Sequence, residues 1–198
     1  MADSRLRTEG AAGRERPAAS ERPIFYFEFS SPECWLAAER VNHAMGAIPI
    51  WQPVRVAGAA RPPKGHEVDE LVQRAVAQGL PVPHLPDPWP GDIDLALRAA
   101  TFAAASGRVV AFSLAALRQA FAGGRDLSQI DNVLISAAAC ELHPRAVLKG
   151  LKSRSIGERL RAATAEAVER GVSEVPAVVA GESVFSGPEA VDEAARAN

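Results

Sequence analysis

Ser31 and Cys34 lie three positions apart where a predicted strand turns into a predicted helix. The apolar, aromatic run from Ile24 to Phe29 is typical of a buried strand, and Pro32 favours the first turn of a helix. A helix N-terminus presents unpaired N–H groups and about half a positive charge, which together stabilise a thiolate. The Ser31 hydroxyl can donate a hydrogen bond to such a sulfur, and Cys34 is itself a thiol. The turn therefore predicts thiolate chemistry.

Both residues also have a purely structural interpretation. Ser30 or Ser31 fits the N-cap position of the helix, and Ser30 together with Glu33 fits a capping box. A lone cysteine such as Cys34, one turn inside a helix, is most often a small buried apolar residue. The residues alone leave both interpretations open.

Val175-Pro176 is a second candidate feature, because it opens a later predicted strand after a helix and a short loop. We expect this peptide bond to be cis and to face the Ser31 turn. The neighbouring backbone could then pair with an extended thiol peptide as an additional strand. The structural alternative is a proline that merely opens a strand.

Composition excludes several classes of function. The 198-residue chain is 47% hydrophobic and 23% charged, which is typical of a globular protein with one sizeable core. A net charge of −2 gives no electrostatic case for binding nucleic acid or an acidic membrane surface. The two cysteines, Cys34 and Cys140, are too few for a disulfide framework, and the four scattered histidines predict no metal site.

The N-terminal residues 1–22 are rich in Arg, Glu, Ala and Gly and predict a flexible tail. This segment has no apolar h-region of a secretory signal, and its acidic residues make it a poor transit peptide. No apolar run approaches the roughly 20 residues that a membrane-spanning helix requires. We therefore expect a cytoplasmic protein without a membrane partner.

The periodicity of the chain predicts an α/β fold of thioredoxin-like order, β-α-β followed by α-β-β-α. Glycines and a proline-rich stretch at 81–91 separate helical patterns in the middle of the chain, which predicts an all-helical insertion. Residues 23–56 and 153–198 would form the thioredoxin-like domain, and residues 57–152 the insertion. The predicted strands are 24–29, 48–56, 175–180 and 183–185, and the predicted helices flanking them are 32–45, 155–170 and 188–197.

Three short motifs, in this order and spacing, carry a family resemblance. The segment 27–32, Phe-Glu-Phe-Ser-Ser-Pro, resembles the opening of the 2-hydroxychromene-2-carboxylate isomerases and kappa-class glutathione transferases of the DsbA-like group. The segment 171–176 is similar to the family's Gly-Val-x-Gly-Val-Pro, and 184–189 is similar to its Phe-Trp-Gly-x-Asp. Further landmarks are Arg61-Pro62-Pro63, Trp89-Pro90 and Gly124-Arg125-Asp126, so the resemblance extends from Ile24 to the end of the chain.

The resemblance implies a glutathione-dependent isomerase or transferase that acts on a small aromatic compound. Ser31 would orient the cofactor thiolate as a catalytic residue, Cys34 would be a second catalytic candidate, and Val175, Pro176 and Glu189 would bind the cofactor. Departures from the family pattern imply a weakened glutathione site. Glu174 replaces a glycine and places a charge beside the site, Pro188 removes a backbone donor, and Ala190 replaces an arginine.

Two rival functions remain open. One is a thiol oxidoreductase that uses Cys34 alone, and the other is a non-catalytic thioredoxin-like protein that binds a peptide or protein partner. A homodimer is also compatible with the sequence. In every case we expect no metal and no nucleic acid.

Overall fold

A four-stranded mixed sheet lies at the centre of the computed structural model, which describes residues 22–56 and 64–197. The strand order is β2-β1-β3-β4. The strands are β1 (Ile24–Phe27), β2 (Ile50–Pro53), β3 (Ala177–Ala180) and β4 (Ser183–Ser186). The helices of the described residues are α1 (Pro32–Ala44), α2 (Gly65–Ala77), α3 (Asp94–Ala105), α4 (Val109–Phe121), α5 (Ile130–Ala138), α6 (Pro144–Leu151), α7 (Arg154–Glu169) and α8 (Ala190–Ala197).

The predicted α/β order is confirmed. Strands β1 and β2 pair in parallel through the α1 crossover, with Ile24 opposite Ile50. Strand β3 returns antiparallel to β1, and β4 pairs antiparallel to β3 through a tight turn at Gly181. Gly181 has a φ of 59°, a left-handed conformation that glycine adopts without steric cost.

Aromatic rings on one face of the sheet form the centre of the larger core cluster. The ring of Trp51 lies 5.0 Å from Phe25 and 5.4 Å from Phe27, both in edge-to-face geometry. This cluster also contains residues of α1, α3 and α4. These helices therefore share one hydrophobic core with the sheet. A smaller cluster around Tyr26 and Val179 packs on the opposite face against α7. The division of the chain into a domain and an insertion stays a prediction.

Three strands are shorter than predicted and β4 is one residue longer, although all four segments are where we expected them. Strand β1 ends at Phe27, yet Glu28, Phe29 and Ser30 remain buried beyond it. Strand β2 begins only at Ile50, because Ile48 and Pro49 form no ladder. The predicted tail, except Arg22, and the Arg61-Pro62-Pro63 landmark lie outside the described residues. None of the described helices is both long and apolar enough to cross a membrane.

Candidate functional site

The turn between β1 and α1 places Ser31 at the N-cap of the helix. Ser31 has an extended backbone (φ −107°, ψ 117°), and its carbonyl accepts a hydrogen bond from the Cys34 N–H at 3.0 Å. Its hydroxyl makes no capping hydrogen bond to the helix backbone. The backbone N–H of Glu33 has no backbone partner among the described residues. The turn therefore presents one hydroxyl and one amide that make no hydrogen bond to the helix backbone.

The predicted capping box is wrong. The Ser30 hydroxyl donates to a carboxylate oxygen of Glu28, not to the helix. The Glu33 carboxylate, which would have completed the box, pairs with Arg74 of α2. The physical reason is burial: Glu28 follows the end of β1 with only 6% exposure, and a buried carboxylate needs a donor more than a partly exposed helix end does.

Glu28 is a charged residue of the site that sequence reasoning missed. Burial raises the pKa of its carboxyl, while the Ser30 hydroxyl and the positive charge of Arg55 lower it. A visible signal existed, because Glu28 is the only charged residue in the apolar run 24–29. Its position close to the Ser31 turn means that its charge acts on any thiolate there.

Cys34 lies inside the core. Its side chain is fully buried, and both Cys34 and Cys140 are free thiols. Burial raises the pKa of the Cys34 thiol far above its ordinary value, and the negative charge of Glu28 adds to that effect. A hydrogen bond from the Ser31 side chain works in the opposite direction. Burial also raises the pKa of Cys140, whose thiol donates to the Ala137 carbonyl at 3.1 Å. Both thiols therefore stay protonated near neutral pH.

This environment predicts slow labelling of Cys34. In the native protein we expect a thiol reagent such as Ellman's reagent to react with Cys34 far more slowly than with free cysteine, because reaction needs an accessible thiolate. In urea the rate should rise to that of an exposed thiol. A Cys140→Ala variant isolates the Cys34 signal. Rapid native labelling with an apparent pKa below about 8.5 would overturn this expectation and favour the oxidoreductase.

The Val175–Pro176 peptide bond is cis, as predicted. Ala177 pairs with Tyr26 in the antiparallel register, so Val175 and Pro176 continue toward the edge of the sheet where β1 ends and the Ser31 turn begins. The Pro176 carbonyl accepts from the Gly187 N–H at 2.9 Å. Within the described part of the chain, no backbone hydrogen bond involves Val175. Its N–H and carbonyl remain available to an extended ligand.

Glu189, a predicted cofactor residue, lies near a cation that sequence reasoning also missed. Arg74 of α2 pairs with Glu33, donates to the Pro188 carbonyl at 3.0 Å and lies 3.8 Å from the Glu189 carboxylate. Burial raises the pKa of Glu33, and the charge and hydrogen bond of Arg74 lower it. Arg74 thus connects the start of α1 with the loop between β4 and α8. No local signal in α2 distinguishes it from a solvated surface arginine.

The Glu174 carboxylate lies beside the loop between β4 and α8. One of its oxygens lies 3.1 Å from the point where a Cβ on Gly187 would stand. Glu174 is exposed, and it is not among the charges that shift the pKa of Cys34. The structure thus brings Ser31, Val175 and Pro176 to one edge of the sheet, with Glu174 and Glu189 beside the loop that follows β4. Among the described residues, no cluster of three His, Cys, Asp or Glu could hold a metal ion.

Comparison with known proteins adds a family and several similar structures. The family model of the DSBA-like thioredoxin domain matches residues 24–197. No curated protein matches the sequence. A 2-hydroxychromene-2-carboxylate isomerase has a similar structure, with a TM-score of 0.75 and 18% identity over 88% of this chain and 93% of that chain.

Two oxidoreductases are also structurally similar. A probable DsbA oxidoreductase from Streptomyces coelicolor gives a TM-score of 0.73 and 20% identity, covering 89% of this chain and 87% of that one. The oxidoreductase DsbA from Xylella fastidiosa gives 0.58 and 16%, covering 91% and 84%. At these identities the similarity establishes the fold.

Proposed function

Because this chain belongs to the DSBA-like thioredoxin domain family, we propose that its Ser31 turn binds the thiolate of a cofactor such as glutathione. One observation carries the proposal: Ser31 occupies the N-cap, but its hydroxyl does not cap the helix. Serine at an N-cap ordinarily stabilises the helix through that bond. Here the hydroxyl can instead donate to the sulfur of a ligand bound at the N-terminus of α1.

The residues of the turn fit the thiol end of glutathione. The Ser31 hydroxyl would donate to the thiolate, and the positive end of α1, with the free N–H of Glu33, would lower the energy of the anion. The Val175 N–H and carbonyl would hold the peptide in extended form.

The γ-glutamyl end of glutathione fits less well. Pro188 has no backbone N–H to offer, and its carbonyl already accepts from Arg74. Glu189 could meet an amino group, although Arg74 lies 3.8 Å away and competes for its charge. Glu174, beside the same loop, adds a negative charge. We therefore propose a working but weakened glutathione site.

We propose further that the bound thiolate serves an isomerase or transferase reaction on a small aromatic compound. When bound, glutathione supplies a nucleophilic sulfur that adds reversibly to a double bond, so the substrate can rotate and be released without net oxidation. The structural similarity to a 2-hydroxychromene-2-carboxylate isomerase supports this class of substrate. The role of Ser31 is to orient the sulfur and keep it ionised.

The Cys34 oxidoreductase is the weaker candidate. Thiol–disulfide exchange needs an accessible thiolate, and Cys34 is fully buried with a raised pKa. Because Cys34 is fully buried, we propose that it fills space behind the turn. If the chain is a non-catalytic binding protein, the geometry of Ser31 and Val175 is the same and only the ligand differs. A binding experiment therefore separates this hypothesis from the cofactor hypothesis.

Calorimetric titration with glutathione at pH 8.5 tests the proposal. We expect the Ser31→Ala variant to bind about tenfold more weakly, because a charge-assisted hydrogen bond is lost. Its free energy of unfolding should change by less than the roughly 0.5–2 kcal/mol of a lost cap. S-methylglutathione, which cannot ionise at sulfur, is the control and should not distinguish the two proteins.

Equal binding of glutathione by the wild type and by Ser31→Ala would refute the role of Ser31. If neither protein binds glutathione, the non-catalytic interpretation takes first place.

A further inference from the structure

A candidate second ligand site lies on α7, outside the Ser31 turn. A groove of about 530 Å³ runs between α7, the start of α3 and Arg55 just after β2. This volume lies within the range of small-molecule sites. The groove shares no residue with the Ser31 turn or the Val175 loop.

Two arginines converge at one end of the groove, above Gly157. The Nη1 atom of Arg98 lies 2.6 Å from the point where a Cβ on Gly157 would stand, and the Nη1 atom of Arg161 lies 3.5 Å from the same point. The two nitrogens are therefore at most about 6 Å apart, a separation at which like charges repel. A side chain at position 157 would occupy the space into which both guanidinium groups point.

Among the described residues, neither arginine has a carboxylate within ion-pair distance. Arg98 donates through Nε to the Leu151 carbonyl at 2.6 Å and through Nη2 to the Ser153 carbonyl at 2.8 Å. These two bonds fix the guanidinium plane and leave Nη1 directed toward the groove. Arg161 has no hydrogen-bond or ion-pair partner in the described part of the chain. The third arginine, Arg55, is already paired with Asp94 at 3.1 Å.

Along α7 the groove is mostly apolar, and the Thr164 hydroxyl already donates to the Leu160 carbonyl at 2.8 Å and accepts from the Arg55 N–H at 3.0 Å. Leu160 and Val168 lie on the groove face of the helix, and Val168 is 56% exposed. From Arg161 to Val168 the helix rises about 10 Å. Glu169 stands at the far end, where it would repel a second negative charge. The groove thus has a cationic end, an apolar middle and an anionic far end.

We propose that this groove binds an amphipathic organic carboxylate, with its carboxylate between Arg98 and Arg161 and its apolar chain along Leu160 and Val168. Guanidinium groups match a carboxylate with paired, charge-assisted hydrogen bonds. A bound anion would also relieve the repulsion between the two arginines. A medium-chain fatty acid has about the length of the apolar stretch, and the site does not depend on the proposed function of Ser31.

Calorimetric titration with octanoate at pH 7.5 and low salt tests this site. We expect Arg161→Gln to weaken octanoate binding at least about tenfold, because it removes one charged donor. Arg159→Gln is the matched control: it removes the same charge from the same helix at an exposed position that does not line the groove. It should bind octanoate like the wild type. Octanamide, which is neutral and of the same length, should bind much more weakly than octanoate.

Gly157→Ala gives an independent readout. Alanine favours a helix more than glycine, which offsets part of the cost of moving the Arg98 guanidinium, and thermal unfolding checks that the variant still folds. Its methyl group would meet Arg98 Nη1, which is tethered by two carbonyls, so octanoate binding should fall. The proposal is overturned if octanoate does not bind the wild type at millimolar concentration. It is also overturned if Arg161→Gln and Arg159→Gln bind octanoate alike, or if octanamide binds as well as octanoate. Ser31→Ala should leave octanoate binding unchanged.

Discussion

Replacing Arg74 by methionine is expected to lower the free energy of unfolding by about 1–3 kcal/mol at pH 7.5. Methionine keeps the apolar stem of Arg74, so the loss comes from its polar contacts. The Glu33 carboxylate, with 26% side-chain exposure, would lose its ion-pair partner, and the Pro188 carbonyl would lose its donor. A half-buried carboxylate without a cation is costly because burial already disfavours its charged form.

The effect of Arg74→Met should depend on pH with a definite sign. Burial raises the pKa of Glu33, and removal of Arg74 raises it further, because the charge and hydrogen bond that oppose burial are gone. The free energy of unfolding of Arg74→Met is therefore lowered most at pH values at which Glu33 is ionised. As pH falls through the pKa of Glu33, the carboxyl becomes neutral and the difference in stability should shrink. Urea unfolding of the wild type and of Arg74→Met from pH 4 to pH 8 measures this difference in stability.

A double-mutant cycle isolates the pair. Glu33→Gln removes the charge that needs Arg74, so Glu33→Gln/Arg74→Met should be less destabilised than the sum of the two single variants. Additive changes would show that the two side chains do not interact in solution. Thermal unfolding of all four proteins at one pH gives the same cycle by a second method.

Replacing Glu28 by glutamine is expected to stabilise the protein at neutral pH. Burial raises the pKa of Glu28, so the folded state holds its proton more tightly than the unfolded state does. From the ordinary value of about 4.5 upward, ionisation of Glu28 therefore subtracts from stability, and the loss grows until pH passes the folded-state pKa. Glutamine is neutral at every pH and still accepts the Ser30 hydrogen bond.

The Glu28→Gln difference should vanish in acid. Below about pH 4 both folded and unfolded carboxyls are protonated, and the variant should match the wild type. Each unit by which the folded-state pKa exceeds the unfolded one corresponds to about 1.4 kcal/mol at high pH. A variant less stable than the wild type at pH 7.5 would show that the ionised carboxylate is better paired than the structure indicates. Glu28→Gln should also strengthen thiolate binding at the Ser31 turn, because it removes a nearby negative charge.

Much of the fold was predictable because its signals are local. The parallel β1-α1-β2 unit, the β3-β4 hairpin and the helix-rich middle follow from apolar periodicity, prolines and glycines. Gly46, which directly follows the predicted helix 32–45, has a φ of 64° just after α1. The ends of the strands were not predictable, because a ladder ends where partners stop pairing, and Phe29 is as apolar as Phe27 although only Phe27 pairs with β2.

The partners of side chains at the site were decided by tertiary structure. Sequence alone could not decide whether Ser30 caps the helix or donates to Glu28, because the helix N-terminus and Glu28 both lie close to Ser30 along the chain. Burial of Glu28 decided it. In the same way, the sequence was compatible with either a catalytic or a buried Cys34. The packing around α1 placed this thiol in the core, where its pKa is raised.

The sequence by itself determined the α/β class and the family resemblance, and it predicted the turn that would hold a thiolate, because these depend on residue types at fixed spacing. Only the tertiary structure brought Arg74 to Glu33 across 41 positions, and Arg98 and Arg161 together above Gly157. The physical reason is that charge pairing and side-chain convergence depend on distance in space. Hydrophobic periodicity records which face of a helix is buried, but not which polar groups meet once the helices have packed.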